Sequence, residues 1–119
     1  MVKEQALHRF FSQFATAYEQ NTVPENAALP RITYSVATDF FDRPVSLTAS
    51  IWSRSMSWVQ ATEIKDAIEE AIGYGGMTMK YNNGMLWIKP GHPFSAPMSD
   101  LDDSIRRIVL NFEAEFIGG

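Results

Sequence analysis

The sequence predicts a single α+β domain, in the order α-β-β-α-β-β-β, with two helices packed on one mostly antiparallel sheet. Two segments place apolar residues at helical spacing, and five segments alternate apolar and polar residues as strands do. An Asn-Gly pair joins two of these strands, which is a strong hairpin signal. The 119 residues match one ordinary domain, which we assign to residues 1–119.

The first helix is predicted over residues 4–19. Its apolar residues recur at i, i+3, i+4 and i+7 and form one face. They are Leu7, Phe10, Phe11, Phe14 and Tyr18. Residues 20–30 contain two prolines and two asparagines, which indicates an irregular connector.

A hairpin is predicted next, because apolar and polar residues alternate over residues 32–37 and again over residues 45–52. The connecting loop carries Phe40 and Phe41 at its tip. Trp52 falls on the strand face opposite the apolar residues of its own strand.

The second helix begins after Ser57, which forms a capping box with Gln60, and ends before Gly73, a typical C-cap residue. Its apolar face consists of Trp58, Ala61, Ile64, Ala67, Ile68, Ala71 and Ile72. The exposed side is mostly acidic, with Glu63, Lys65, Asp66, Glu69 and Glu70.

The last three strands are predicted around the Asn83-Gly84 turn and at the C-terminus. Residues 77–81 and 85–89 form the hairpin. Asn-Gly between them suits a type I′ turn, because such a turn needs positive φ at both central positions. Residues 90–103 are rich in proline and end in acids, which indicates a long loop. Residues 107–117 alternate cleanly and suit the centre of a sheet.

Composition excludes several kinds of chemistry. The chain has no cysteine, so thiol catalysis, zinc–thiolate sites and redox switching are excluded. The net charge is −4 and the basic residues are scattered, whereas nucleic-acid-binding chains carry a basic surplus or stripe. No apolar run approaches a membrane span, and the N-terminus lacks the features of a signal peptide, so we expect a cytosolic, soluble product.

Candidate catalytic and metal-binding residues are few. His8 and His92 have no evident partners for a triad or a metal site. The three acids at 100, 102 and 103 lack the ligand order of a calcium loop, and Glu113 and Glu115 have the spacing of any exposed strand face. We therefore predict no catalytic residue, no metal, no cofactor and no enzymatic activity.

Large apolar residues at unexpected positions are the candidate interface. They are Phe40, Phe41, Trp52, Phe94 and Met98. Apolar groups in connectors either fold back on their own core or meet a partner. The sequence leaves both alternatives open.

The C-terminal three-quarters of the chain resembles a known family. The run Gly-Met-Leu-Trp-Ile-Lys-Pro-Gly at 84–91 is followed by Pro-Phe, and Met-Ser-Asp-Leu-Asp-Asp-Ser-Ile-Arg-Arg-Ile at 98–108 leads into a strand ending in Ala-Glu-Phe. From about residue 30 onward the pattern resembles phage and prophage tail-module proteins of the Gram-positive type. It is most similar to the tail terminators of long-tailed phages, the family of minor tail protein U.

The resemblance implies an assembly role without chemistry. Such proteins form a six-fold ring on the head-proximal end of the tail tube, where their partners are the major tail tube protein and the head–tail connector or stopper. DNA passes through the lumen without specific binding, no membrane is involved, and the protein goes from the host cytoplasm into the virion. The alternative is a small-ligand-binding or enzymatic α+β domain with a pocket between the first helix and the sheet.

Overall fold

A computed structural model describes residues 3–37, 45–54, 57–82, 84–99, 102 and 104–118. The helices are α1 (Lys3–Ser12) and α2 (Val59–Ile72). The strands are β1 (Thr16–Glu19), β2 (Arg31–Ala37), β3 (Val45–Arg54), β4 (Met77–Tyr81), β5 (Gly84–Met98) and β6 (Ile105–Gly118), and a 3-10 turn, Gln20–Thr22, follows β1.

All six strands form one sheet in the order β1-β2-β3-β6-β5-β4. The two helices and the single compact domain agree with the predicted α+β class. The prediction of a mostly antiparallel sheet needs correction, because the sheet is mixed: β1 runs parallel to β2. The other pairings, between β2 and β3, β3 and β6, β6 and β5, and β5 and β4, are antiparallel.

The first helix is shorter than predicted, because it ends at Ser12 and the chain then forms β1. Thr16 and Tyr18 favour extended backbone, and pairing with β2 buries Ala17 between them. The helical spacing of Phe10 and Phe11 is correct, but its apparent continuation to Tyr18 is a strand. Tertiary pairing therefore overrides a helical pattern in this segment.

The predicted loop over residues 90–103 is also wrong, since β5 continues to Met98. Pro90, Pro93 and Pro97 fit in this strand because β4 pairs with it only as far as Ile88. On that side the later part of β5 has no strand neighbour in the described chain, so a missing N–H group costs no ladder bond there. A register shift between Pro90 and Ser95 marks an irregularity in its pairing with β6.

Both predicted hairpins and the long central strand are confirmed. β2 pairs with β3 from Arg31 opposite Trp52, and β4 pairs with β5 from Tyr81 opposite Gly84. Gly84 is therefore the first paired residue of β5 and not a central residue of the turn, as the type I′ prediction required. β6 lies between β3 and β5 in the centre of the sheet. Gly73 closes α2 with φ of 65° and donates its N–H to the carbonyl oxygen of Glu69 at 2.9 Å.

The core lies between the helices and one face of the sheet. Phe10 and Phe11 of α1 are fully buried. The ring of Phe11 stacks on Tyr34, with centroids 5.1 Å apart, and meets Phe112 edge-on at 5.8 Å. From α2, the buried residues are Ala61, Ile68 and Ile72. Alternate residues of β2, β3, β6 and β5 supply the rest, as the period-2 pattern predicts.

Tyr34 makes folding sensitive to alkaline pH. Burial of its hydroxyl raises the pKa of Tyr34, and the charge of Glu19 adds to this. The unfolded chain releases this proton near pH 10, whereas the folded chain retains it to higher pH. The free energy of unfolding should therefore decline as the pH rises above about 10. We expect Tyr34→Phe to make this decline shallower when the free energy of unfolding is measured by urea titration at several pH values. Tyr74→Phe is the control, because Tyr74 is exposed. If the free energy of unfolding fell equally steeply with pH in both variants, Tyr34 would not be the cause.

Ser53 is a polar residue inside the core. Its side chain is fully buried, and its hydroxyl has no hydrogen-bond partner among the residues that the structure describes. A buried hydroxyl without a partner loses its hydration and gains nothing in return, so Ser53→Ala should raise the free energy of unfolding by about 1 kcal/mol. Chemical denaturation measures this change. The exposed Ser46 of the same strand is the control, since Ser46→Ala should change little; a destabilised Ser53→Ala would reveal an interaction of the hydroxyl.

Candidate interaction surface

The sheet face opposite the helices carries a row of large side chains. Arg31, Trp52, Arg107 and Met98 are direct partners across β2, β3, β6 and β5. Because the core residues of the same strands alternate with them, the row lies on the face that neither helix covers. We call this face the open face and the four residues the open-face row.

Two guanidinium groups flank the indole of Trp52. The guanidinium carbon of Arg107 lies 4.4 Å from the ring centroid, and that of Arg31 lies 5.6 Å from it. Both distances are in the range of cation–π attraction. The indole Nε1 donates to the hydroxyl of Thr33 at 3.1 Å. These contacts fix the position of Trp52 in the middle of the row.

The positive charges of this row have no opposite charge nearby. Arg107 donates from Nε and Nη2 to the hydroxyl of Ser50, at 3.2 and 3.1 Å. Arg31 donates from Nη1 to the carbonyl oxygen of Ala27 at 3.0 Å. These acceptors are neutral, and in the described part of the chain neither arginine forms an ion pair. The row is therefore a rigid cationic site whose charge is not compensated.

Lys89 of the open face is paired with carboxylates. Lys89 Nζ lies 3.6 Å from a carboxylate oxygen of Glu113 and 3.8 Å from one of Glu115. It also lies 4.4 Å from the ring centroid of Trp87, whose Nε1 donates to the carbonyl oxygen of Gly75 at 3.0 Å. The half of the open face near Glu113 and Glu115 thus has its charges balanced, whereas the open-face row is basic.

Asp102 belongs to a turn at the start of β6. Its carboxylate accepts hydrogen bonds from Ser104, at 2.9 Å from the backbone N–H and 2.7 Å from the hydroxyl, and lies 3.4 Å from Arg54. The hydrogen bonds from Ser104 hold the pKa of Asp102 below its usual value, and Arg54 adds to this. This turn accounts for Asp102, while Asp100 and Asp103 lie outside the described residues.

The outer side of α2 has the opposite charge. Val59, Glu63, Asp66 and Glu70 follow one another at i, i+4, i+7 and i+11 and form a stripe that points away from the buried side of the helix. We call it the outer α2 stripe. All four residues are exposed, Val59 by 61%.

Only part of the acidic charge of α2 is balanced. Lys65 lies 2.6 Å from Asp66 and 3.4 Å from Glu69, and the hydrogen bond to Asp66 is the largest cause of its raised pKa. Glu63 and Glu70 form no ion pair with any described residue. The outer α2 stripe therefore carries two carboxylates whose charge is not compensated.

The structure places the predicted interface residues in different surroundings. Trp52 lies on the open face, as predicted. Phe94 packs edge-on against Phe112 of the core, with centroids 5.4 Å apart. Met98 is 45% exposed at the end of the open-face row. Phe40 and Phe41 lie outside the described residues.

Arg31, Arg107 and the outer α2 stripe were not singled out from the sequence as interface residues. Arg31 and Arg107 are far apart in the chain, and only the pairing of both β2 and β6 with β3 brings them to one indole. The stripe was visible as acidic helix spacing, and the signal that was missed is the exposed Val59 at its start.

A concave pocket of about 530 Å³ lies between the C-terminal end of α2 and the irregular part of β5. Its lining combines Ile72, Pro90 and Phe94 with the acids Asp66, Glu69 and Glu70, beside His92. In the predicted position, between α1 and the sheet, the fully buried rings of Phe10 and Phe11 pack instead. Among the described residues, no three His, Asp or Glu side chains cluster as metal ligands, and no helix is long and apolar enough to cross a membrane.

Comparison with known proteins identifies the fold. No protein-family model matches the chain, and no curated protein sequence matches it. Among solved structures, it is similar to a chain in the virion of a native gene transfer agent particle, with a TM-score of 0.56 and 16% sequence identity. The similarity covers 91% of this chain and 84% of that chain. The two chains therefore share a fold over nearly their whole length.

Proposed function

We propose that the chain is a structural component of a phage-like virion. The observation that carries this proposal is the fold shared with a chain of a gene transfer agent virion, which extends over most of both chains. An uncompensated cationic row on one side and an uncompensated acidic stripe on the other fit a subunit that works by contacts with other proteins. The protein has no enzymatic activity in this proposal.

The more specific role that we propose is that of a tail terminator or head–tail joining protein. Subunits form a ring, a hexamer, at the head-proximal end of the tail tube. One side of the ring contacts the major tail tube protein and the other contacts the head–tail connector, while DNA passes through the lumen without specific binding. The resemblance to tail-terminator proteins from about residue 30 onward supports this role, together with the shared fold.

The first test is the mass of the protein in solution, measured by light scattering over a concentration series at physiological salt. We expect a hexamer, or a monomer that shifts towards one as the concentration rises. The second test is electron microscopy of polymerised tail tubes with the protein added. We expect density at one end of each tube and no further growth. Tubes that remain uncapped and continue to grow would reject the terminator role.

A small-ligand-binding domain is the alternative, and the pocket beside α2 is the observation that favours it. In that case, we expect a stable monomer or dimer with no affinity for tubes. A thermal-shift screen of small cations and amines would identify a ligand, because both acidic and apolar side chains line the pocket.

A further inference from the structure

We propose that the open-face row is the docking site for the outer α2 stripe of a second copy of this chain. Glu63 of one copy meets Arg107 of the next, Glu70 meets Arg31, and Val59 packs against Met98. This inference rests on the proposed ring and assigns the two surfaces that form it.

The two surfaces are complementary in charge. Arg31 and Arg107 are held in place by an indole and by neutral acceptors, with no carboxylate to balance them in the described chain. Glu63 and Glu70 form no ion pair with any described residue. Arginine held in a planar stack presents its remaining N–H groups to carboxylates in a fixed geometry. Each surface therefore supplies what the other lacks.

The two arginines and the two glutamates are spaced alike. Arg31 and Arg107 are in register on strands separated by one strand, so their backbones lie about 10 Å apart across the sheet. Glu63 and Glu70 are two helical turns apart, which is about 10 Å along the axis. The two guanidinium carbons lie 4.4 and 5.6 Å from one indole centroid, so they too are at most about 10 Å apart. A helix lying across the strands thus brings its two carboxylates within reach of the two guanidinium groups.

The same alignment matches the apolar ends of the two surfaces. Met98 follows Arg107 in the row, one strand spacing of about 5 Å further on. Val59 precedes Glu63 by one turn, about 6 Å. Both side chains are exposed, Met98 by 45% and Val59 by 61%. Their contact would remove two apolar groups from water beside the ion pairs.

The position of the two surfaces determines the symmetry. α2 packs on one face of the sheet and the open-face row lies on the other, so Glu63 and Glu70 of one molecule point away from its own Arg31 and Arg107. Only the ends of the two surfaces come near each other within one chain, where Trp58, next to Val59, lines a hollow together with Met98. A contact between different surfaces is head-to-tail, and it closes into a ring when the rotation between copies divides a full turn. Nucleic acid fits the row less well, because Glu113 and Glu115 lie on the same face and would repel phosphates.

Cysteine cross-linking tests the contact directly, since the natural chain has no cysteine. We expect Val59→Cys and Met98→Cys combined in one chain to give a ladder of disulfide-linked oligomers on mild oxidation. A mixture of the two single variants should give disulfide-linked dimers and nothing larger. Each single variant alone should form no disulfide-linked oligomer. The matched control combines Val59→Cys with Ile117→Cys, because Ile117 is 46% exposed at the other end of the open face.

Charge reversal provides a test with a built-in rescue. The variant R31E/R107E should lose association by about 100-fold or more, because like charges then face each other, and so should E63K/E70K. Mixed together, the two variants should associate again, since each new surface complements the other variant. Arg9→Glu and Glu25→Lys, at exposed positions outside both surfaces, should leave association unchanged.

The outcomes separate this inference from the proposed function. A ladder from the Val59/Met98 pair, together with rescue by mixing, supports the assignment. Oligomers that survive both reversals, or equal cross-linking of the Ile117 control, would overturn it and leave the ring to other surfaces. Absence of any cross-link would also overturn it, and the tube-capping assay would then decide the virion role alone. A third outcome would assign the row to nucleic acid instead: the natural protein binds DNA, R31E/R107E abolishes that binding, and the cysteine variants form no cross-link.

Discussion

Phe11→Ala is expected to lower the free energy of unfolding by about 3–5 kcal/mol. The ring is fully buried and contacts three other aromatic rings, those of Phe10, Tyr34 and Phe112. Its removal leaves a cavity where α1 meets the sheet. A small domain is stable by only about 5–15 kcal/mol, so this substitution removes a large share of the total. Urea denaturation followed by tryptophan fluorescence measures the loss.

Phe94→Ala is the comparison for this prediction. Phe94 is half-buried and contacts Phe112 from the rim of the core, so we expect a loss of about 1–2 kcal/mol. The ratio between the two losses tests whether α1 belongs to the cooperative core. If Phe11→Ala were no worse than Phe94→Ala, α1 would contribute little to folding.

Gly76→Ala is expected to be the most damaging glycine substitution, with a loss of about 3 kcal/mol. Gly76 has φ of +81°, and a Cβ there would lie 2.5 Å from the carbonyl oxygen of Ile88 and 2.7 Å from Trp87 Nε1. The first of these atoms is backbone of a central part of β5 and cannot move away cheaply. The cost therefore combines an unfavourable φ with a steric clash.

Two neighbouring glycines separate these causes. Gly73 has φ of +65° but open space around its Cβ position, so Gly73→Ala should cost only the conformational strain, about 1–2 kcal/mol. Gly75 has neither a positive φ nor a close neighbour, so Gly75→Ala should be neutral or stabilise by about 0.5 kcal/mol. Thermal unfolding should show the largest loss of stability for Gly76→Ala, a smaller loss for Gly73→Ala and none for Gly75→Ala. Equal losses at Gly73 and Gly76 would show that the clash relaxes at no cost.

Local pattern predicted most of the elements of this fold. The buried residues Ala61, Ile68 and Ile72 of α2, the hairpin of β4 with β5 and the alternation in β6 depend on residues close in sequence, and all three are found in the structure. Within these elements, Gly84 was predicted in the turn but is paired with Tyr81, and Trp58, Ala67 and Ala71 were predicted on the apolar face but are exposed. The end of α1 and the extent of β5 do not depend on local pattern. Thr16–Glu19 is a strand because β2 lies beside it, and Pro97 is tolerated in a strand because β4 has already ended.

The candidate surface was only partly predictable for the same reason. Trp52 was recognisable because a large apolar residue falls on the polar side of its strand. Its flanking arginines come from β2 and β6, and their approach depends on the register of three strands. The match between that row and α2 depends in addition on distances across the sheet and along the helix, which no sequence window contains.

The three prolines of β5 have a consequence for how copies of this chain can meet. A sheet edge with free N–H groups accepts almost any strand, because backbone pairing does not depend on side chains. Here both edge strands, β1 and β4, are only four and five residues long, and beyond β4 the edge is interrupted by Pro90, Pro93 and Pro97. Sideways growth into a fibre is thereby disfavoured. Contacts between copies are left to the faces, where the identity and position of individual side chains decide which partner fits and how many subunits complete the assembly.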